Sequence, residues 1–202
     1  MIRHGEIPAN VKKIYVGLTE EELTGRGEAQ VRLLAGNLKG RGIRILYSSP
    51  LRRALQTAAI LAHRLELPIV REENLREIAL GPLEGLSYEQ IIAQMPEVWR
   101  MWNETPAEVR LPGMEPLGEV QTRILSVLKK LAQKHKDEII GVVTHLAVMR
   151  CALLASRGKS LNEYRAITIP NATALVFETT VHHSDDELKL KLMEEIQIEQ
   201  AI

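Results

Sequence analysis

The chain has a single cysteine, Cys151, among 202 residues. It cannot form an internal disulfide, and metal sites built on several thiolates are excluded. Cys151 sits in the apolar run from Ala147 to Ala155, which favours a buried structural thiol over a nucleophile. Net charge is also missing: 26 Lys and Arg balance 26 Asp and Glu. That argues against a generally basic nucleic-acid surface, though not against a local basic pocket. No apolar run is long enough to span a bilayer. The opening Met1-Ile2-Arg3-His4-Gly5-Glu6 is charged at once and has no apolar stretch of a signal peptide. A cytoplasmic protein with neither a membrane nor a nucleic-acid partner is expected. There is no repeat and no low-complexity segment.

What is present suits a folded domain. Apolar residues make up 45% of the chain and charged residues 26%, a globular balance. Short β-rich runs alternate with longer helical ones, which predicts an α/β sheet covered by helices. Met1 to Arg3 reads as the end of a strand. Leu23 to Leu38 has helical spacing, with Thr24 as N-cap and Leu33, Leu34 and Leu38 as apolar positions. Further strands are expected at Ile43–Tyr47, Pro68–Val70, Ile139–Thr144, Thr173–Thr180 and Leu188–Met193. Helices are expected at Leu51–Leu65, Leu117–His135 and Leu146–Ala155. Ser87-Tyr88-Glu89-Gln90 forms a capping box for a short helix ending before Pro96. The segment Trp99 to Pro116 holds three prolines and both tryptophans, the marks of a lid rather than core sheet. One domain over 1–202, with a sub-domain excursion near 78–116, is the expected organisation.

Three predicted strands end on unusual polar residues: Arg3-His4-Gly5, then Ser48-Ser49 followed by Arg52 and Arg53, then Thr144-His145. Ligands of open α/β sheets sit beyond the carboxyl ends of the strands, and helix N-termini there favour anions. Two histidines and several arginines are thus expected to meet at one edge, where a phosphate dianion would suit them. Each has a plainer reading. A lone histidine near a strand end is more often a structural hydrogen-bonder, and at least one of Arg52 and Arg53 is expected to be solvated. His63 and His135 read as surface or packing residues. His182 and His183 beside Asp185 and Asp186 could suggest a metal cluster, but a solvated hairpin turn fits better.

Arg3-His4-Gly5-Glu6 followed by Asn10 resembles the opening of the histidine phosphatase superfamily, which includes cofactor-dependent phosphoglycerate mutases. Five further stretches follow in the family's order. These are Leu23 to Gln30, Ser48 to Ala58, Leu75-Arg76-Glu77-Ile78 with Gly81 and Leu83-Glu84-Gly85, Pro112-Gly113-Met114-Glu115, and Val142 to His145. The resemblance runs from residue 2 to about 180. It implies a three-layer phosphoglycerate mutase-like fold, a mostly parallel sheet flanked by helices.

It also implies roles. His4 would attack phosphorus, since imidazole is largely unprotonated near neutral pH. Arg3 and Arg53, chosen over Arg52 by its place directly before Ala54, would bind phosphoryl oxygens. His145, expected to be protonated, would stabilise the transition state. Glu77 would be the general acid, with Glu84 the weaker candidate, and Asn10 would lie near the phosphate. No metal or cofactor is needed, and the partner is a small phosphomonoester.

Three departures from the family pattern carry expectations. Arg3 follows only Met1 and Ile2, so a shortened first strand should lose ladder hydrogen bonds and core burial. Leu146 and Ala147 stand where glycine is common and should narrow the pocket. Pro116 replaces a frequent serine and removes a hydroxyl. The short chain, and the segment Trp99 to Pro106 with one arginine and no proline run, favour a phosphomonoester hydrolase. A phosphoglycerate mutase and a non-catalytic phospho-ligand module remain alternatives. Late strands such as Thr173–Thr180 offer faces through which two copies could form a homodimer.

Overall fold

The computed structural model describes residues 1–181 and 188–198. Six strands form one sheet in the order β3-β2-β4-β1-β5-β6. They are β1 (Ile2–Arg3), β2 (Ile43–Ser48), β3 (Ile69–Arg71), β4 (Ile139–Thr144), β5 (Ala174–Val181) and β6 (Leu188–Ile196). The first four run parallel, and β5 is antiparallel to both β1 and β6. Seven α-helices cover the sheet: α1 (Pro8–Lys12), α2 (Gly25–Leu38), α3 (Arg52–Leu65), α4 (Tyr88–Gln94), α5 (Pro96–Glu104), α6 (Leu117–Lys134) and α7 (Leu146–Ser156). The three-layer α/β expectation holds.

The period of two along a strand sends neighbouring residues to opposite layers. Leu46, Val143 and Ala174 face α2 and α3, where they meet Val31, Leu34, Ala54, Ala58 and Leu61. Tyr47, Val142 and Leu175 face the larger core with α6 and α7, which includes Val120, Ile124 and Met149. Burying one Leu or Val in this way is worth roughly 1.5–3 kcal/mol. In α2, Val31, Leu34, Ala35 and Leu38 make the inner stripe, whereas Leu33 is 53% exposed. Leu33, expected to face inward, lies off the 3.6-residue stripe that its neighbours define.

Local signals placed most element ends. Thr24 caps α2 by accepting from the Gly27 N–H, and Ser87 forms a capping box with Gln90 at α4. The expected lid is partly regular, because Pro96 occupies the first turn of α5, where its missing N–H costs nothing. Pro116 is the N-cap of α6 and contributes no side-chain cap. The turn at residues 182–187, with His182, His183, Asp185 and Asp186, lies outside the described residues. No helix is long and apolar enough to cross a membrane among the described residues.

β1 is short, as expected. It pairs with β4 at Ile2 and Arg3 only, and with β5 at Ile2 only. Beyond it, a cavity of about 380 Å³ is lined by residues of β4, β5 and α6. The α-amino group of Met1 is buried here, donating to the Leu175 carbonyl at 2.6 Å, and burial pushes its pKa down to about 5.

Candidate active site

The carboxyl ends of β1, β2 and β4 open onto a cavity of about 470 Å³. Arg3, His4, Asn10, Arg53 and Glu77 all line it. His145 packs against His4, ring centroids 5.2 Å apart, and is itself fully buried. The structure therefore brings together all six residues picked out in the sequence.

His4 ends β1, and its Nδ1 lies 2.7 Å from the Gly5 carbonyl oxygen. A carbonyl only accepts, so Nδ1 carries the proton and Nε2 keeps a lone pair. The turn is held tightly. Gly5 donates to Thr57 Oγ1 at 3.1 Å, and that hydroxyl donates to the Arg53 carbonyl at 2.8 Å. A Cβ on Gly5 would sit 2.5 Å from the Gly27 carbonyl oxygen, which explains why glycine follows His4. Burial first, then the charges of Arg53 and Arg3, hold His4 well below the ordinary histidine range.

Arg53 lies in the first turn of α3 and is 1% exposed. Its Nη2 donates to the Gly17 carbonyl at 2.6 Å and its Nη1 to the Thr19 carbonyl at 2.9 Å. Arg52 points outward and pairs with Glu22, and of the two arginines only Arg53 lines the cavity. Arg3 donates to the Ile169 carbonyl, and burial lowers its pKa to about 10, which leaves it charged at neutral pH. Arg3 Nε, Arg53 Nε and His145 Nδ1 are buried without a partner among the described residues. Buried polar groups are normally satisfied, so three unpaired nitrogens around one cavity fit an incoming anion.

His145 Nε2 lies 2.6 Å from Ser49 Oγ, which also accepts from the Leu51 N–H. The expectation of a protonated His145 needs correcting. Burial first, then the positive charge of Arg53, the repulsion that a second charged ring at His4 would add, and the charges of Arg123 and Arg3, hold it well below the ordinary histidine range. Without an anion it is neutral, and a phosphate dianion would reverse the field that keeps it so.

Glu77 is 6% exposed. Its Oε1 accepts from the Ile78 N–H at 3.0 Å and from the Ala147 N–H at 3.2 Å, at the start of α7. Burial raises its pKa, and the Ile78 N–H, Arg53, the Ala147 N–H and Arg3 pull back against that rise. Opposed forces of this kind suit a carboxyl that both gives and takes a proton. Its segment is pinned from two sides. Thr144 Oγ1 donates to the Leu75 carbonyl at 2.7 Å. Arg123, paired with Glu115 at 2.7 Å, donates to the Asn74 and Glu77 carbonyls.

Glu84, the weaker acid candidate, does other work. It accepts from the Gly17 and Thr19 N–H groups and from the Thr19 hydroxyl, so it braces the loop that holds Arg53. Asn10 accepts from the Ile7 N–H and from Asn171 Nδ2. Leu146 and Ala147 both line the cavity. Sequence reasoning missed Ser49 as the partner of His145, and Thr57 and Asn171 as clamps on the His4 turn. Ser49 had a signal, since it stands at a strand end beside the motif, whereas Thr57 and Asn171 had none. Cys151 is buried, and its thiol is pushed up to about 12, so it stays protonated.

Comparisons with known proteins agree with this geometry. The chain is 32% identical over 173 residues to phosphoserine phosphatase 1 of Hydrogenobacter thermophilus, covering 86% of this chain and 82% of that one. The solved YhfR of Bacillus stearothermophilus superposes with a TM-score of 0.85 at 25% identity, over 95% of this chain and 93% of that one. A mycobacterial glucosyl-3-phosphoglycerate phosphatase, solved with VO3, superposes with a TM-score of 0.84 at 26% identity, over 95% of each. The family model of the histidine phosphatase superfamily, branch 1, matches residues 1–193, and the chain belongs to that superfamily.

Proposed function

We propose that this protein hydrolyses small phosphomonoesters in two steps, through a phosphohistidine on His4. The observation that carries this reading is the pocket itself. His4, whose Nδ1 is engaged by the Gly5 carbonyl, lines a cavity together with Arg3, Arg53 and Glu77, and Arg3 Nε, Arg53 Nε and the Nδ1 of the adjoining His145 are buried without a partner among the described residues.

In the first step the Nε2 lone pair attacks phosphorus, the P–O ester bond breaks, and Glu77 gives its proton to the leaving oxygen. Arg3, Arg53 and His145 stabilise the charge on the remaining phosphoryl oxygens, where preorganised electrostatics supply most of the catalysis. In the second step Glu77 takes a proton from water, which attacks phosphorus. The P–N bond breaks and inorganic phosphate leaves. No metal or cofactor enters this scheme.

The same chemistry could return the phosphoryl group to substrate, as in a mutase. The segment Trp99 to Pro106, with one arginine and no proline run, argues against that. Its one arginine, Arg100, pairs with Glu97 and Glu104 on the outer face of α5, while Trp99 and Trp102 line the cavity. The phosphatase names carried by relatives support hydrolysis as well. The test is incubation with 3-phosphoglycerate and 2,3-bisphosphoglycerate, beside p-nitrophenyl phosphate. Phosphate release from p-nitrophenyl phosphate, with little isomerisation of 3-phosphoglycerate, is expected. Rapid isomerisation with little free phosphate would sink the reading, and inactivity on every ester would favour a non-catalytic binding module.

A further inference from the structure

Two buried histidine rings lie against each other at the site, and each has one ring nitrogen engaged. His4 gives its Nδ1 proton to the Gly5 carbonyl. His145 places its Nε2 2.6 Å from Ser49 Oγ. A carbonyl fixes the direction of the first bond, whereas a hydroxyl can donate or accept. The direction of the second bond follows from the other contacts of Ser49.

Ser49 directly follows β2, and its backbone N–H donates to the Val143 carbonyl at 2.9 Å, two residues before His145. The pairing of β2 with β4 thus sets where the hydroxyl stands relative to the ring. Ser49 and His145 are both fully buried. Ser49 Oγ accepts from the Leu51 N–H at 3.3 Å, and the neighbouring Ser48 hydroxyl is bound to the Ser49 carbonyl at 3.0 Å. Among the described residues, His145 Nε2 is the one acceptor that the Ser49 proton reaches. If Nε2 carried the hydrogen instead, two buried groups would go unsatisfied, the Ser49 proton and a bare Nδ1. With Ser49 donating, only the Nδ1–H is left open. Unmade buried hydrogen bonds are costly, so the arrangement with fewer of them prevails. Its one open group is a donor, as an anion requires.

We infer that Ser49 is a positioning residue, whose hydroxyl fixes His145 as an Nδ1–H donor to a phosphoryl oxygen. The inference rests on the phosphatase reading and adds a residue to its machinery. With Nε2 engaged, Nδ1 is the ring nitrogen left to meet the phosphate. When the dianion draws a proton from solvent onto His145, that proton goes to Nε2, and the Ser49 hydroxyl turns from donor to acceptor. Nδ1 keeps its hydrogen in both states. His4 and His145 thus share one tautomer and use it oppositely, His4 through its bare Nε2 and His145 through its Nδ1–H.

The test reads the ring nitrogens by NMR, in protein whose histidines carry a nitrogen label, with His145 assigned by the signals lost in His145→Asn. The unliganded wild-type protein should show a protonated Nδ1 and a bare Nε2 on His145. Inorganic phosphate should move the Nδ1 proton downfield as it gains an acceptor. A wild-type His145 with its hydrogen on Nε2, or an Nδ1 proton indifferent to bound phosphate, overturns the inference without any change at Ser49. Ser49→Ala should shift the ring toward the Nε2–H form. It should also lower kcat on p-nitrophenyl phosphate by about 10-fold, with KM changed less, because losing a transition-state donor outright costs roughly 100- to 1,000-fold and the freed ring still samples the useful tautomer. Wild-type kcat in Ser49→Ala overturns the inference. An asparagine amide can stand where Nδ1 stood, and its hydrogens depend on no tautomer. His145→Asn should therefore keep more activity than His145→Gln, and adding Ser49→Ala to it should cost less than about 2-fold. An equal loss from Ser49→Ala in both backgrounds marks a purely structural role and overturns the inference. Inactivity of the wild-type protein on every ester overturns the phosphatase reading and the use given to this donor, whatever the tautomer.

Discussion

At the scale of single residues, protonation decides the chemistry. In the proposed scheme His4 must be neutral to attack, and Glu77 must hold a proton to release the alcohol. Burial serves both needs, since it disfavours the charged form of each group. For alkyl phosphates, kcat/KM should therefore persist below the ordinary histidine range and fall at higher pH as Glu77 loses its proton. Glu77→Gln should lower kcat for alkyl esters by about 100- to 10,000-fold and erase that alkaline limb. With p-nitrophenyl phosphate, whose leaving group needs little protonation, the same variant should still show a burst of p-nitrophenol. A pH–rate series and a stopped-flow trace check this, and an unchanged alkaline limb would remove Glu77 from its role.

The two buried histidines also tie stability to pH. Their folded pKa values lie below the unfolded value of 6.5, so the unfolded chain binds protons first as pH falls. Stability of the unliganded protein should be full above about 6.5 and decline below it. Inorganic phosphate, which favours the charged imidazoles, should flatten that decline. Thermal melts across pH, with and without phosphate, measure both effects. A decline of equal steepness with phosphate bound would contradict the assignment.

At the scale of elements, positioning runs through short connections. Glu84 holds the backbone of Gly17 and Thr19, and these two carbonyls hold Arg53. Glu84→Gln should loosen that relay and lower kcat/KM, by up to about 100-fold if Arg53 shifts by an ångström. The fold should survive, which circular dichroism checks. If kcat/KM is unaffected, the loop does not need this brace.

At the scale of the whole molecule, some features are written locally in the chain and others only in its packing. The strand Ile139–Thr144, the cap at Thr24 and the capping box at Ser87 could be read because their signals span a few residues. The gathering of His4, the Ser49 to Arg53 stretch and His145 could be read because each follows a strand end, and the topology of parallel sheets gathers strand ends, whereas Glu77 and Asn10 were legible only through the resemblance. Leu33 was misplaced because it falls just outside the stripe that Val31, Leu34, Ala35 and Leu38 bury, and apolar character alone does not mark that edge. The downward pull on the His145 pKa was missed because it depends on burial first, and then on Arg53 and Arg123, brought near only by folding.

The central claim is a covalent bond between phosphorus and His4. Rapid quenching of the protein with a labelled phosphomonoester, followed by peptide mapping under alkaline conditions, tests it most directly. The account predicts an acid-labile, alkali-stable phosphoryl group on the peptide containing His4, turning over at least as fast as kcat, and its absence together with activity in His4→Ala. Label on another residue, or undiminished p-nitrophenyl phosphate hydrolysis by His4→Ala, would contradict it.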